Sequence, residues 1–132
     1  MRALKSLLVV VAATVAMLAG TTPAQAATGW SMEWGATNTE STIDWTSGYS
    51  AYVSGHIKAV SGYREVCFWG VNGSYSTDTV CRSATNSTTT WSNVHLQITV
   101  AGGVQRIYAD LWVNGTAVHE VWCTRNGCSR NW

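Results

Sequence analysis

Two hydrophobic patterns divide the chain. The first is a continuous apolar run over residues 7–19, broken only by Thr14. The second begins at Trp30 and alternates apolar with polar positions at a period of two, as half-buried strands do. No helical period competes with it. Trp30, Met32 and Trp34 fall on one side of a first strand, and Ile43 and Trp45 belong to a short second one. Residues 49–60 predict a longer strand, with Val53, Ile57 and Ala59 facing one way and Tyr52, His56 and Lys58 the other. Ser61-Gly62 reads as a two-residue hairpin turn, which sets Lys58 opposite Glu65, Ile57 opposite Val66 and His56 opposite Cys67. A strand over 63–69 turns through 71–74 and returns along 76–82. Residues 83–90 (SATNSTTT) predict a polar, mobile loop.

The last third carries the clearest alternation. Segments 94–101, 104–113 and 116–123 predict a three-strand meander turned at Gly102-Gly103 and Asn114-Gly115, dipeptides that tolerate the positive φ of tight hairpins. One face holds Val94, Leu96, Ile98, Val100, Ile107, Ala109, Leu111, Val113, Val118 and Trp122, with Glu120 as its single misfit. The other holds His95, Gln97, Thr99, Arg106, Tyr108, Asp110, Trp112 and His119. A sheet with one apolar and one polar face requires a second layer. The expected fold is therefore all-β, a small antiparallel β-sandwich, with a small β-barrel as the alternative.

The early apolar run changes the picture of where this domain works. It follows Arg2 and Lys5 and leads through Pro23 to Ala24-Gln25-Ala26, the small-x-small pattern of a signal-peptidase site. At about 13 residues it is too short to span a bilayer. Residues 1–26 are expected to be a secretory signal peptide, and 27–132 a single secreted, extracellular domain that begins at Ala27. Its eight Lys and Arg, less Arg2 and Lys5, stand against seven Asp and Glu, a net charge of −1. That balance gives no drive toward nucleic acid or a membrane surface. All eight Trp follow the signal, more than a core of this size hides, so an exposed group of them would be a binding surface.

Four cysteines allow three pairings. Cys67–Cys81 and Cys123–Cys128 are favoured because Asn72-Gly73 lies between the first two and Asn126-Gly127 between the second two. A zinc site is not expected, since no C-x2-C occurs. The pieces Cys67-Phe68-Trp69 and Cys123-Thr-Arg-Asn-Gly-Cys128 give a layout that resembles the neocarzinostatin-type apoproteins, small secreted sandwiches with two local disulfides. The resemblance implies carriage of a small-molecule chromophore as a minor alternative function. Only four residues follow Cys128, too few for the last strand that such a fold needs.

Candidate chemistry follows from the two glycine turns. If both are two-residue loops, His95 lies opposite Asp110 and Asp110 opposite His119 on the polar face, flanked by Tyr108 and Trp112, with Arg106 and Gln97 beside them. Aromatic faces bordered by these polar groups suit a glycan, and Trp, Tyr and Arg also anchor protein partners. No G-x-S-x-G elbow, H-E-x-x-H or free cysteine occurs, so no enzyme, metal or cofactor is expected. The expected function is non-enzymatic recognition of an extracellular glycan by a monomer. The alternative is a secreted inhibitor or bacteriocin-like antagonist acting on a protein through the disulfide-pinned hairpin that carries Ser74 and Tyr75.

Overall fold

The computed structural model describes residues 28–46 and 48–132. The expected signal peptide over 1–26 and the expected start at Ala27 lie outside the described residues. Among the described residues ten strands form two antiparallel sheets: β1 (Ser31–Trp34), β2 (Thr37–Trp45), β3 (Ser50–Lys58), β4 (Tyr63–Asn72), β5 (Tyr75–Ser76), β6 (Val80–Thr85), β7 (Thr88–Gln97), β8 (Arg106–Val113), β9 (Thr116–Thr124) and β10 (Gly127–Arg130). One sheet runs β1-β2-β3-β7. The other runs β10-β9-β8-β4, with β5 and β6 both paired to β4. Neither closes on itself, so the fold is a sandwich and not a barrel.

The inner faces meet in a core of Trp30, Met32, Ile43, Val53, Ile57, Val66, Phe68, Leu96, Ile107 and Leu111, all nearly inaccessible to water. Phe68 links the layers, its ring 5.2 Å from Trp30 and 5.8 Å from Trp91. Buried Thr39 accepts from the Trp30 indole at 3.2 Å and donates to the His56 carbonyl at 2.9 Å. Both expected disulfides form, each joining residues directly opposite across a strand pair: Cys67–Cys81 between β4 and β6, Cys123–Cys128 between β9 and β10.

Face assignments along β3, β7 and β8 agree with the alternation, those on β9 do not, and several expected partners differ. Ser61-Gly62 is not a hairpin, because the chain crosses there from one sheet to the other. Lys58 pairs with Asn38 and Thr88, Ile57 with Thr39 and Thr89, and His56 with Glu40 and Thr90. Glu65 pairs with Ser83 and Trp112, and Val66 with Arg82 and Leu111. Residues 83–90 are not a loop but the end of β6, a tight connection at Asn86-Ser87 and the start of β7. This connection runs beside the first crossover. The Gly62 N–H donates to Asn86 Oδ1 at 2.7 Å and the Ala59 N–H to the Ser87 carbonyl at 2.8 Å. Each crossover thus satisfies the backbone of the other.

The expected meander keeps only its second half. β7 pairs with β3, so the segment between β7 and β8 is a third crossover. There the Gly103 N–H donates to the Val100 carbonyl at 2.9 Å, with Gly102 at φ 92° in the third position, a type II turn. Asn114-Gly115 does form the two-residue hairpin, with φ of 51° and 86° and Val113 opposite Thr116. A bulge then inserts Val118. Beyond it Val121 and Cys123 face inward, and Glu120 and Trp122 face out with Asp110 and Tyr108. The misfit of Glu120 and the placement of Trp122 on the apolar face are both corrected by this one residue.

Candidate binding face

The outer face of the six-stranded sheet is assembled from alternate residues of β4, β8 and β9, because directly opposed residues of an antiparallel pair share a face. Trp69 lies opposite Tyr108, and Tyr108 opposite Trp122. Three half-buried rings therefore form one row across three adjacent strands. Trp69 and Tyr108 stand nearly parallel, 14° apart with centroids at 5.7 Å. The Arg106 guanidinium lies 4.3 Å from the centre of the Trp122 ring. The adjoining row holds Cys67, Asp110 and Glu120, and the next holds Glu65 and Trp112.

Asp110 lies directly opposite Glu120 across β8 and β9. Burial raises the Asp110 carboxyl from 3.8 to about 7, helped by the hydrogen bond with Glu120 and by that residue's negative charge. The Asn131 side chain donates to Glu120 Oε1 at 2.6 Å, and its backbone N–H to the Glu120 carbonyl at 2.9 Å. A shallow depression of about 320 Å³ opens here, lined by Asp110, Ala117, Val118, His119, Glu120 and Asn131. Three buried polar atoms at or beside it have no protein partner: Asp110 Oδ1, His119 Nδ1 and Trp112 Nε1. The His119 ring stacks on Trp132 at 4.0 Å and meets Trp34 edge-on at 5.4 Å, two rings nearly half exposed.

The expected His95–Asp110–His119 row does not exist. Arg106, Tyr108, Asp110 and Trp112 do share the outer face, as expected. His119 follows the bulge residue Val118, in register with the core residue Leu111. His95 and Gln97 lie on the opposite sheet, where His95 stacks on Tyr52 at 4.7 Å and its Nε2 lies 2.8 Å from Ser50 Oγ. The cause is the β7–β8 crossover, which places those two strands in different layers. Sequence reasoning missed Trp69 and Trp122 as platform rings and Glu120 as the partner of Asp110. Glu120 carried a signal, being the only charge on a predicted apolar face. Trp69 carried none, since β4 meets β8 across a long gap in sequence. Glu65 lies within 4.8 Å of Cys67 and Cys81, but the disulfide between those sulfurs leaves a single carboxylate there as a possible metal ligand. The two disulfides are compatible with an oxidising, extracellular environment. Comparison with protein-family models, with curated proteins and with solved structures finds no match for this chain.

Proposed function

We propose that this is a secreted, non-enzymatic protein that binds an extracellular glycan through the outer face of its six-stranded sheet. The observation that carries the reading is the row of Trp69, Tyr108 and Trp122 on three neighbouring strands. Rings held rigidly by a sheet lose little entropy when a ligand settles on them, and a flat sugar ring offers C–H groups to aromatic faces. Arg106 and the two carboxyls border the rings with groups that bind hydroxyls. The carboxyls also disfavour phosphate-rich ligands. Secretion is supported by the signal-like amino-terminal segment and by the disulfides.

A second reading has one observation in its favour. Tyr75, 57% exposed, stands where β4 turns into β5, inside the loop closed by Cys67–Cys81, which suits an inhibitor acting on a protein. Affinity measurements on insoluble and soluble polysaccharides separate the two. Tyr108→Ala and Trp122→Ala are each expected to weaken polysaccharide binding by about tenfold or more, while Tyr75→Ala leaves it unchanged. Retention that survives removal of all three platform rings overturns the glycan reading.

A further inference from the structure

Two free strand edges lie on one side of the sandwich, where β1 ends one sheet and β10 ends the other. They meet at Gly29, whose carbonyl oxygen is 3.0 Å from Cys128 Sγ. Further on they part, leaving a cleft of about 290 Å³ lined by Ser31, Glu33, Arg130 and Trp132. Along β1 the register with β2 is unbroken from Thr28, opposite Ile43, to Trp34, opposite Thr37. Opposed residues of an antiparallel pair alternate between bonded and unbonded. The Ser41 N–H donates to the Trp30 carbonyl at 3.0 Å, so Met32 and Trp34 are the bonded residues of β1. Ser31 and Glu33 therefore aim their N–H and C=O groups away from β2, and among the described residues nothing pairs with them. The other margins are blunted, as exposed strand edges usually are. β6 runs into β7 through Asn86-Ser87, with the Thr89 hydroxyl donating to the Ser83 carbonyl at 2.6 Å. β7 shifts register against β3, and β5 has only two residues. Beside β1 the surface is apolar instead: of the eight Trp only Trp34 and Trp132, at 44% and 48%, are exposed.

A regular edge with free backbone groups and flanking rings is a template for one more strand. A second copy of this chain supplies a strand of matching length and charge. Antiparallel pairing about a twofold at Met32 sets Ser31 opposite Glu33 of the partner copy and Glu33 opposite Ser31 of the partner copy. Each of these pairs then exchanges two backbone hydrogen bonds. A twofold at Glu33 would oppose like charges. One at Ser31 would need the Gly29 carbonyl, which already lies against Cys128. Arg130 lines the cleft beside Glu33 and carries the opposite charge, so the seam gathers no excess of either sign. A twofold between opposed residues of antiparallel strands stands perpendicular to the sheet. The two four-stranded sheets thereby merge into one of eight strands, with both six-stranded sheets on the same side of it. The two rows of Trp69, Tyr108 and Trp122 then face the same way.

From this we infer that two copies of the chain associate edge to edge through β1, as a twofold dimer in place of the expected monomer. The association stands without the glycan reading. Its use rests on that reading: two rows presented to one side hold an insoluble polysaccharide at two points. Sedimentation equilibrium of the full oxidised protein tests the dimer. The expected result is a weight-average mass that doubles between about 1 μM and 1 mM. Ser31→Pro removes an outward N–H that the β1–β2 ladder does not use. It should weaken association by about tenfold or more with the Tm little changed. Glu33→Lys places a second cation beside Arg130 and should do the same, and it decides the question if the proline variant fails to fold. A mass that stays at one copy throughout the range overturns the inference. So does a dimer that the folded variants leave intact, since another surface then makes it. Retention on an insoluble polysaccharide tests the use. It should fall by about tenfold or more in Ser31→Pro, while affinity for soluble oligosaccharides stays the same. Equal retention by the two proteins overturns the paired use of the rows. Absence of any retention removes the glycan reading and leaves the dimer standing.

Discussion

At the scale of single residues, the contrast between Thr39 and Asp110 is instructive. Thr39 is wholly buried and satisfied twice, by the Trp30 indole and the His56 carbonyl. Asp110 is only partly buried, yet one of its oxygens has no partner and its neighbour is another acid. Such a group lowers stability at neutral pH, and its place beside the aromatic row is the residue-level sign of a site. The pH dependence follows from the raised affinity for a proton. The folded protein holds the Asp110 proton up to about pH 7, whereas the unfolded chain releases it near 3.8. Between those values folding takes up a proton, so stability falls as pH rises through the window. The destabilisation is complete above pH 7 and absent below 3.8. Asp110→Asn should therefore raise the Tm at pH 8 and leave it nearly unchanged at pH 3.5. Allowing for solvent screening at a half-exposed group, the gain is roughly 1 kcal/mol, or about 4–8 °C. Thermal melts of both proteins at the two pH values decide the matter, and equal shifts at both would remove this account of Asp110.

At the scale of elements, the two glycine turns of the last third look alike in sequence and differ in what they do. At Asn114-Gly115 the positive φ serves a local hairpin, and a Cβ on Gly115 would meet open space. Gly103 also has a positive φ, but a Cβ there would run into the backbone of Gly48 and Tyr49. Gly115→Ala should cost about 1–2 kcal/mol, the penalty of a left-handed backbone alone. Gly103→Ala should be much worse, because the β7–β8 crossover must lift away from the β2–β3 connection. Comparative urea denaturation checks this, and similar midpoints for the two variants would mean that the crossover packs more loosely. The same pair explains what could be read in advance. The inward placement of Ile107, Ala109 and Leu111 depends only on a period of two, which is a local property. Whether β7 pairs with β8 or with β3 depends on what Gly103 touches a long way back in the chain, and no dipeptide records that. The Val118 bulge is an intermediate case: Glu120 flagged a break in the pattern, while a single extra residue leaves no other trace.

At the scale of the molecule, the binding face exists only in the complete sheet, since its three rings come from β4, β8 and β9, and between the first two the chain crosses to the other layer, forms β7 there and crosses back. Its cohesion leans on the cross-links. Cys67 lies directly opposite Asp110 on β8 and ties β4 to β6, and Cys123–Cys128 holds edge strand β10 to β9. With separations of 14 and 5 residues, restriction of the unfolded chain is worth about 3 and about 2 kcal/mol respectively. Their sum of roughly 5 kcal/mol matches the lower end of the total stability of a small domain, about 5–15 kcal/mol. Each serine pair, Cys67→Ser with Cys81→Ser or Cys123→Ser with Cys128→Ser, should therefore still fold, with a Tm lower by on the order of 10 °C. The larger drop should belong to the first pair. Removal of both bridges, by the four substitutions or by a reductant, should bring the domain to the edge of unfolding near room temperature. Polysaccharide retention should then fall with the same midpoint as the circular-dichroism signal. If the reduced protein melts within a few degrees of the oxidised one, the core alone carries the fold and the bridges have some purpose other than stability.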